Sequence, residues 1–217
     1  MPDLTFRVED AAPVAFAASP YLAFKLRITD TEVPATSIPA IALRCQIRIE
    51  PARRRYDPEE QARLLDLFGE PSRWGRTLLG LLWAHVSLIV PAFEGSTLVD
   101  LLVPCTFDFN VAATKYFAAL GDGEAPLSLL FSGTIFHAGD DGALQVAPIS
   151  WEKEADYRLP VRAWKAMMDL HYPNIAWIGL RKDVFDRLDQ FKRRRGLPTW
   201  EHALEALLAR DDAPVTS

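Results

Sequence analysis

The residue types that most often do chemistry are sparse in this chain. It has two cysteines, with no CxxC pair, and four widely separated histidines, His85, His137, His171 and His202. Metal sites usually bring ligands together at short, regular spacings. We therefore expect no bound metal and no cofactor.

One cysteine and one histidine could still form a catalytic pair. Nucleophilic catalysis needs a thiolate with a base nearby, and Cys105 with His85 could supply both. Cys45 lies on the apolar phase of a predicted strand, which predicts a buried and inert thiol. Cys105 follows Pro104, where partial exposure is expected. An enzyme with a site assembled from Cys105 and His85 therefore stays open as an alternative.

The glycine-rich segments do not predict a phosphate site. Phosphate loops need glycines that lead into a helix N-terminus, where free N–H groups point at the anion. The segments 121–123 and 139–142 instead precede predicted strands. The second, with Asp140 and Asp141, is typical of a hairpin turn.

Two basic clusters occur in a chain whose 24 basic and 29 acidic residues give a net charge of −5. Lys192–Arg195 ends a predicted helix, where cations stabilise the negative end of the helix dipole. Arg53, Arg54 and Arg55 precede a predicted helix start, where their charge gains nothing from the dipole. We expect them to face an acidic partner, in a basic patch extended by strand-face residues, Lys25, Arg27, Arg44 and Arg48.

Trp74 is a second candidate for partner contact. It lies in a Pro/Gly-bounded loop between Arg73 and Arg76, and interfaces are enriched in Trp and Arg. The alternative is that Trp74 anchors this loop by packing against the protein itself.

Alternating apolar and polar residues predict half-buried strands over 22–28 and 41–49. One-sided strands of this kind are typical of antiparallel sheets. We predict further strands over 4–8, 81–93, 98–109, 126–137 and 144–149, and a short extended segment over 175–180.

Cap and turn residues predict the helices. Asp57, Pro58 and Glu60 form a capping pattern for a helix that ends at Gly69. Asn110 is expected to cap a helix over 111–120, and two more follow Pro160 and Asp183. Thr199 is expected to cap a last helix whose apolar residues point inward, namely Trp200, Ala203, Leu204, Leu207 and Leu208.

Length and composition indicate a globular protein. The chain has 217 residues, of which 49% are hydrophobic and 24% charged, and we expect one domain over 1–210 with a frayed tail over 211–217. The acidic balance argues against a nucleic-acid binder. The longest apolar stretch, 78–93, is too short and too polar for a membrane span, and no signal peptide is visible. We therefore expect a soluble, cytoplasmic protein.

Several short motifs resemble one bacterial family over nearly the whole chain. The segments Trp83-Ala84-His85-Val86-Ser87, Val103-Pro104-Cys105-Thr106, Phe131-Ser132-Gly133-Thr134 and Pro198-Thr199-Trp200 resemble the family of domain of unknown function 6084. Genes of this family tend to lie in clusters that encode nickel–iron hydrogenases and their maturation proteins. The resemblance implies an accessory role, with a hydrogenase subunit or maturation factor as partner, and it assigns no functional residues.

A weaker likeness concerns architecture. The strand order, with Gly133-Thr134-Ile135-Phe136 and then Tyr172-Pro173-Asn174-Ile175 before a helix, is similar to the export chaperone SecB. That chaperone places an antiparallel sheet beside helices and offers grooves to unfolded chains. The additional segment 53–120 and the final helix depart from its pattern.

These patterns predict an α+β fold, with a sandwich-like antiparallel core of about six or seven strands and C-terminal helices packed beside it. The leading hypothesis is a non-enzymatic, chaperone-like accessory protein that binds another protein through Arg53, Arg54, Arg55 and Trp74. The alternatives are the Cys105/His85 enzyme and a domain that binds a small ligand on the concave face of the sheet. The sequence does not predict the oligomeric state.

Overall fold

The structure is a computed structural model that describes residues 2–32, 37–106, 111–139, 142–175 and 178–211, with side chains up to residue 209. The chain divides into two compact units, Met1–Pro173 and Asn174–Ser217. The single domain expected over 1–210 stays a prediction. The expected frayed tail lies outside the described residues from position 212 onward.

Ten strands and seven α-helices are found among the described residues. The strands are β1 (Leu4–Pro13), β2 (Tyr21–Asp30), β3 (Ser37–Ile38), β4 (Ala40–Ile49), β5 (Leu81–Val90), β6 (Phe93–Glu94), β7 (Ser96–Pro104), β8 (Glu124–Ala138), β9 (Leu144–Pro148) and β10 (Glu154–Pro160). The helices are α1 (Pro58–Arg63), α2 (Leu65–Phe68), α3 (Trp74–Thr77), α4 (Val111–Ala119), α5 (Val161–His171), α6 (Lys182–Arg194) and α7 (Trp200–Asp211).

The first sheet has the order β1-β2-β7, and both pairings are antiparallel. Strand β2 lies in the middle, and its apolar positions Leu22, Phe24, Leu26 and Ile28 are fully buried. This burial is the outcome that their alternation with polar residues predicts. A short antiparallel pairing of β3 with β6 stands apart from this sheet.

The second sheet has the order β10-β8-β4-β5, and β9 also pairs with β8. Strand β8 has 15 residues and pairs with β4 along one edge and with β10 and β9 along the other. At Gly133 of β8 the backbone φ is 140°, and a Cβ there would lie 2.0 Å from the carbonyl oxygen of Ala42 in β4. Only glycine allows the two strands to approach this closely.

Aromatic side chains from the two sheets meet in the core. Phe6 of β1 stacks on Phe131 of β8, with ring centroids 4.2 Å apart. Phe24 of β2 makes edge contacts with Trp83 of β5 and Tyr157 of β10. These contacts cross from one sheet to the other, so the apolar face of each sheet covers that of its partner.

Helices α4 and α5 pack beside these sheets within the first unit. Helix α4 contacts β5 and α5, while α5 contacts β1, β2 and β10. Phe117 of α4 stacks on Trp164 of α5 at 5.4 Å and lies 4.9 Å from Trp83 of β5. The predicted α+β class, with antiparallel sheets and C-terminal helices, is confirmed.

Some element predictions need correction. Strand β10 was not predicted, although charged residues alternate there with Ala155, Tyr157 and Leu159. Its low apolar content hides the pattern, and its pairing with β8 makes it a strand. The strand expected over 81–93 ends at Val90. The short extended segment expected over 175–180 stays a prediction. Residues 107–110, 140 and 141, where the end of a strand, a helix cap and a hairpin tip were predicted, lie outside the described residues.

The second unit is built from α6 and α7. The C-terminus of α6 is closed at Gly196, whose φ is 63°, while Leu197 N–H donates to the Lys192 carbonyl at 3.1 Å. This pattern is a Schellman motif. At the start of α7, Thr199 Oγ1 accepts a hydrogen bond from the His202 N–H at 3.3 Å, as predicted for an N-cap.

The prediction that the apolar residues of α7 point inward is wrong for all but one. Ala203 is fully buried, but Trp200, Leu204, Leu207 and Leu208 are 37%, 39%, 38% and 65% exposed. In a pair of helices, each helix buries only the residues that face the other helix. The other apolar residues of α7 therefore stay in contact with solvent.

Candidate functional site

Arg54 is turned into the protein. Its guanidinium donates to Glu60 Oε1 at 2.6 Å and to the carbonyl oxygens of Asp122 and Glu124 at 2.7 and 2.6 Å. The two charged side chains are only 12% and 5% exposed. Glu60 Oε1 also accepts from the Gly121 N–H at 2.8 Å. Arg54 therefore ties the segment before α1 to the turn before β8.

The neighbouring arginines lie on the surface. Arg53 donates to Asp156 Oδ1 at 2.7 Å across an exposed pair, and Arg55 is exposed. The expected basic strand faces are largely neutralised, because Lys25 pairs with Asp100 and Arg27 with Glu9. The partner-binding role of Arg53, Arg54 and Arg55 stays a prediction.

Trp74 packs within the first unit. Its Nε1–H donates to the Gly69 carbonyl at 2.8 Å. Its ring makes edge contacts with Tyr56 and Phe68. These contacts agree with the loop-anchor interpretation, and the role of Trp74 at an interface stays a prediction.

The structure does bring Cys105 and His85 to one cavity. The cavity has a volume of about 350 Å³ and is bounded by β5, by the end of β7 and by α4 and α5. Cys105 is buried, His85 is exposed, and the Cys105 thiol donates to the Val103 carbonyl at 3.3 Å. Burial raises the pKa of Cys105 to about 12. At neutral pH the group is a thiol, whereas nucleophilic attack needs a thiolate.

Cys45 is buried as predicted, and burial raises the pKa of its thiol to about 12. Within the ranges that the structure describes, no group of three or more His, Cys, Asp or Glu side chains could hold a metal ion. In the same ranges, no helix is long and apolar enough to cross a membrane.

The second unit holds a larger groove, which the sequence did not predict. Its volume is about 780 Å³, and it is lined mainly by apolar residues, Ile178, Leu180, Val184, Phe185, Leu188, Trp200, Leu204 and Leu207, with Lys182 and Glu201 among them. Val184 and Leu188 lie one helical turn apart on α6, which is the sequence signal for this wall.

Cations are numerous on α6, the helix that forms one wall of this groove. Three acidic residues of α6 each pair with a nearby cation, in the pairs Arg181–Asp183, Lys182–Asp186 and Arg193–Asp189. The Lys192 ammonium lies 5.4 Å from the centre of the Trp200 ring, and the Arg195 guanidinium lies 5.8 Å from the Phe191 ring. Arg187, Lys192, Arg194 and Arg195 have no acidic partner within the part of the chain that the structure describes. The groove lining itself holds one cation and one anion, Lys182 and Glu201, and Lys192 adds a cation beside Trp200.

Comparisons with curated proteins and with solved structures give no relative that indicates a function. Among the curated proteins, none matches the chain. The chain is similar to beta-glucosidase 3B from Thermotoga neapolitana, in complex with alpha-D-glucose, at 12% identity and a TM-score of 0.25, covering 72% of this chain and 17% of that chain. It is similar to the putative ApaA protein from Bordetella pertussis at 15% identity and a TM-score of 0.24, covering 73% of this chain and 93% of that chain. At such scores neither likeness bears on function.

The family relationship extends over the sequence as a whole. Residues 1–216 match one family, and the match includes the sheets, the cavity and the groove. The chain belongs to DUF6084, a family of unknown function.

Proposed function

We propose that this is a cytoplasmic, non-enzymatic accessory protein that binds another protein through the apolar groove of its second unit. The observation that carries the proposal is the exposure of large apolar side chains along α6 and α7, with Phe185 at 43% and Trp200 at 37%. Contiguous apolar surface of this kind commonly marks a protein interaction site.

The shape and charge of the groove favour an amphipathic helix with acidic flanks. Helix α6 has 13 residues, so it is about 20 Å long at the usual rise per residue. A partner helix of similar length could place its apolar stripe against Leu188, Leu204 and Leu207. Acidic residues beside that stripe would meet Arg187, Lys192 and Arg194.

The test uses a labelled 14-residue peptide with Leu or Phe at positions i, i+3, i+4 and i+7 and Glu elsewhere. Fluorescence anisotropy should show binding that weakens with salt, because charges at the border act through screened attraction. A scrambled peptide of the same composition, and one with Lys in place of Glu, should bind much more weakly.

Variants of the full chain locate the binding. Leu204→Glu should weaken binding about tenfold or more, as expected for a central apolar contact. The combined change Lys192→Glu and Arg194→Glu should weaken binding and flatten its salt dependence. Ile89→Glu is the control, since Ile89 is 70% exposed on β5 of the first unit. Equal affinity of all variants, or of the acidic and scrambled peptides, would refute the proposal.

A second copy of this chain is the competing occupant. Self-association that disappears in Leu204→Glu, without peptide binding, would establish that copy as the occupant instead. The family resemblance makes hydrogenase subunits and maturation factors the first natural partners to test by purification from the native host. In that experiment an Arg53→Ser and Arg55→Ser double variant tests the earlier prediction for the basic segment.

A further inference from the structure

Five strands lie at the edges of the two main sheets in the part of the chain that the structure describes, namely β1 and β7 in the first sheet and β5, β9 and β10 in the second. Edge strands carry unpaired backbone groups, and proteins commonly protect them with charged residues, proline or short length. Strands β1, β7 and β10 contain charged residues and end in proline. Strand β9 has five residues and ends at Pro148. Strand β5 differs, because its ten residues include no Asp, Glu, Lys, Arg or Pro.

The outer edge of β5 is regular and unpaired over most of its length. Residues Ala84–Val90 pair with β4 without a break, and the one irregularity of β5 lies at Trp83. No backbone hydrogen bond joins Ala84–Val90 to a described residue outside β4. Helix α4 contacts the other end of the strand, where Phe117 packs on Trp83. The segment 84–90 therefore offers backbone groups to another strand.

The apolar core is incompletely covered along this edge. Val86 and Leu88 lie opposite Cys45 and Leu43 of β4. These two β4 residues are only 1% exposed, whereas Val86 and Leu88 are half-buried. On the other face of the sheet, Ile89 is 70% exposed. A strand added along β5 would cover these apolar groups while it pairs with the free backbone groups.

The symmetry of strand pairing fits a second copy of β5 to this edge. In an antiparallel pair, two opposite residues either both hydrogen-bond across the pair or both do not. Each residue of β5 must therefore face one that is an even number of positions away, and one residue must face its own copy on the twofold axis. A charged residue there would meet a like charge. Centred on Ser87, the regular segment pairs over its full length, with Val86 opposite Leu88 and His85 opposite Ile89.

We propose that this protein forms a dimer in which β5 pairs antiparallel with β5 of a second copy, centred on Ser87. The lack of charged side chains favours a copy, since no like charges meet at the axis and apolar Val86 meets apolar Leu88. Twofold symmetry is also the commonest symmetry of oligomers. The interface lies wholly in the first unit, so it is independent of the groove through which we propose that a partner protein binds.

The first test changes the residue on the axis. Sedimentation equilibrium of the full chain at micromolar concentration should give twice the mass of one chain, which is 24.3 kDa. Ser87→Lys should weaken dimerisation about tenfold or more, because two like charges meet at the interface. Ser87→Glu should do the same. A mixture of the two variants should form dimers again, since opposite charges then face each other.

Ser132→Lys is the matched control for these variants. Ser87 and Ser132 are both exposed, and both lie opposite Arg44 of β4, one on each side of it. Ser132 is thus two strands away from the edge, and its replacement should leave the dimer intact. Circular dichroism should show the same fold for all of these variants, because each change is at an exposed position.

Cysteines at the same two positions locate the interface. A short bis-maleimide should link Ser87→Cys rapidly into dimers, because opposite Cα atoms of paired strands lie about 4.5–5.5 Å apart. Ser132→Cys should not be linked, since five strand spacings, about 24 Å, separate the two copies of that residue. The native Cys45 and Cys105 are buried and should react slowly.

The result is separable from that of the groove proposal. Leu204→Glu should remain dimeric, and a single-site peptide should bind the groove equally well in the unmodified protein and in Ser87→Lys. A protein that stays monomeric at all concentrations would overturn the dimer. A dimer that Ser87→Lys leaves intact, or that Leu204→Glu abolishes, would overturn this interface.

Discussion

Arg54 shows how one residue in a run of like charges can have a structural role. Its neighbours Arg53 and Arg55 extend to the surface, while its own side chain meets Glu60 and two carbonyl oxygens of the 122–124 turn. The glutamate is six residues away, and the turn is almost seventy residues away. No local pattern in the sequence could have predicted that meeting.

We expect Arg54→Ser to lower the free energy of unfolding by about 3 kcal/mol, since removal of one member of a buried ion pair leaves the other charged and uncompensated. Arg55→Ser should change it by less than about 0.5 kcal/mol, as is usual for an exposed position. Urea denaturation of both variants measures the difference. Equal midpoints for the two variants would contradict the internal role of Arg54.

The two buried thiols make a prediction about alkaline pH. Burial raises the pKa of Cys45 and Cys105 to about 12, whereas thiols in unfolded chains titrate near a pKa of about 8.5. Between these values the unfolded chain loses a proton that the folded chain keeps. The contribution of the two thiols to the free energy of unfolding is therefore fully present below about pH 8.5 and is lost as the pH rises toward 12.

Denaturation at several pH values should show this loss, with a contribution of about 1.4 kcal/mol per pH unit from each thiol. Cys45→Ala should have a shallower decline than the unmodified protein. Iodoacetamide should label neither cysteine readily at neutral pH without urea, because each thiol is buried and protonated. Rapid labelling of Cys45 in the native protein would show that the thiol is accessible.

At the scale of elements, the sequence predicted what is encoded locally. Alternating apolar and polar residues predicted strands β2 and β4, and the cap residue Thr199 predicted the start of α7. Strand β10 was missed because its apolar residues are few, and its hydrogen bonds to β8 make it a strand.

The cavity at Cys105 could not be predicted from the sequence, since it depends on β5 and β7 lying side by side with α4 and α5. The groove of the second unit was hidden for another reason, because amphipathic periodicity predicts which residues share a face but not whether anything covers them.

Strands β4 and β8 can approach each other closely only because Gly133 has no side chain. We expect Gly133→Ala to destabilise the protein by more than about 3 kcal/mol, because the new Cβ would overlap the Ala42 carbonyl and the positive φ disfavours any L-residue. Gly75→Ala is the matched control, since a Cβ at Gly75 meets nothing within 4 Å. Thermal denaturation of both variants tests this close approach, and similar melting temperatures would contradict it.

At the scale of the whole molecule, charge and apolar surface are unevenly shared between the units. The chain is acidic overall, yet α6 holds Arg187, Lys192 and Arg194 without an acidic partner among the described residues. The first unit buries a large apolar core between facing sheets, while the second leaves most of its apolar residues in contact with solvent. This contrast is typical of a protein in which one part supplies stability and another supplies recognition.

The pairing of β4 with β8 has a consequence for how the protein is made. Leu43 faces Gly133 across these strands, and Ala23 of β2 similarly faces Leu102 of β7. Neither sheet can be completed until a distant part of the chain has left the ribosome, so early strands wait with open edges while synthesis continues. Such remote pairing also slows refolding, and we expect the first unit to fold in milliseconds to seconds rather than in microseconds.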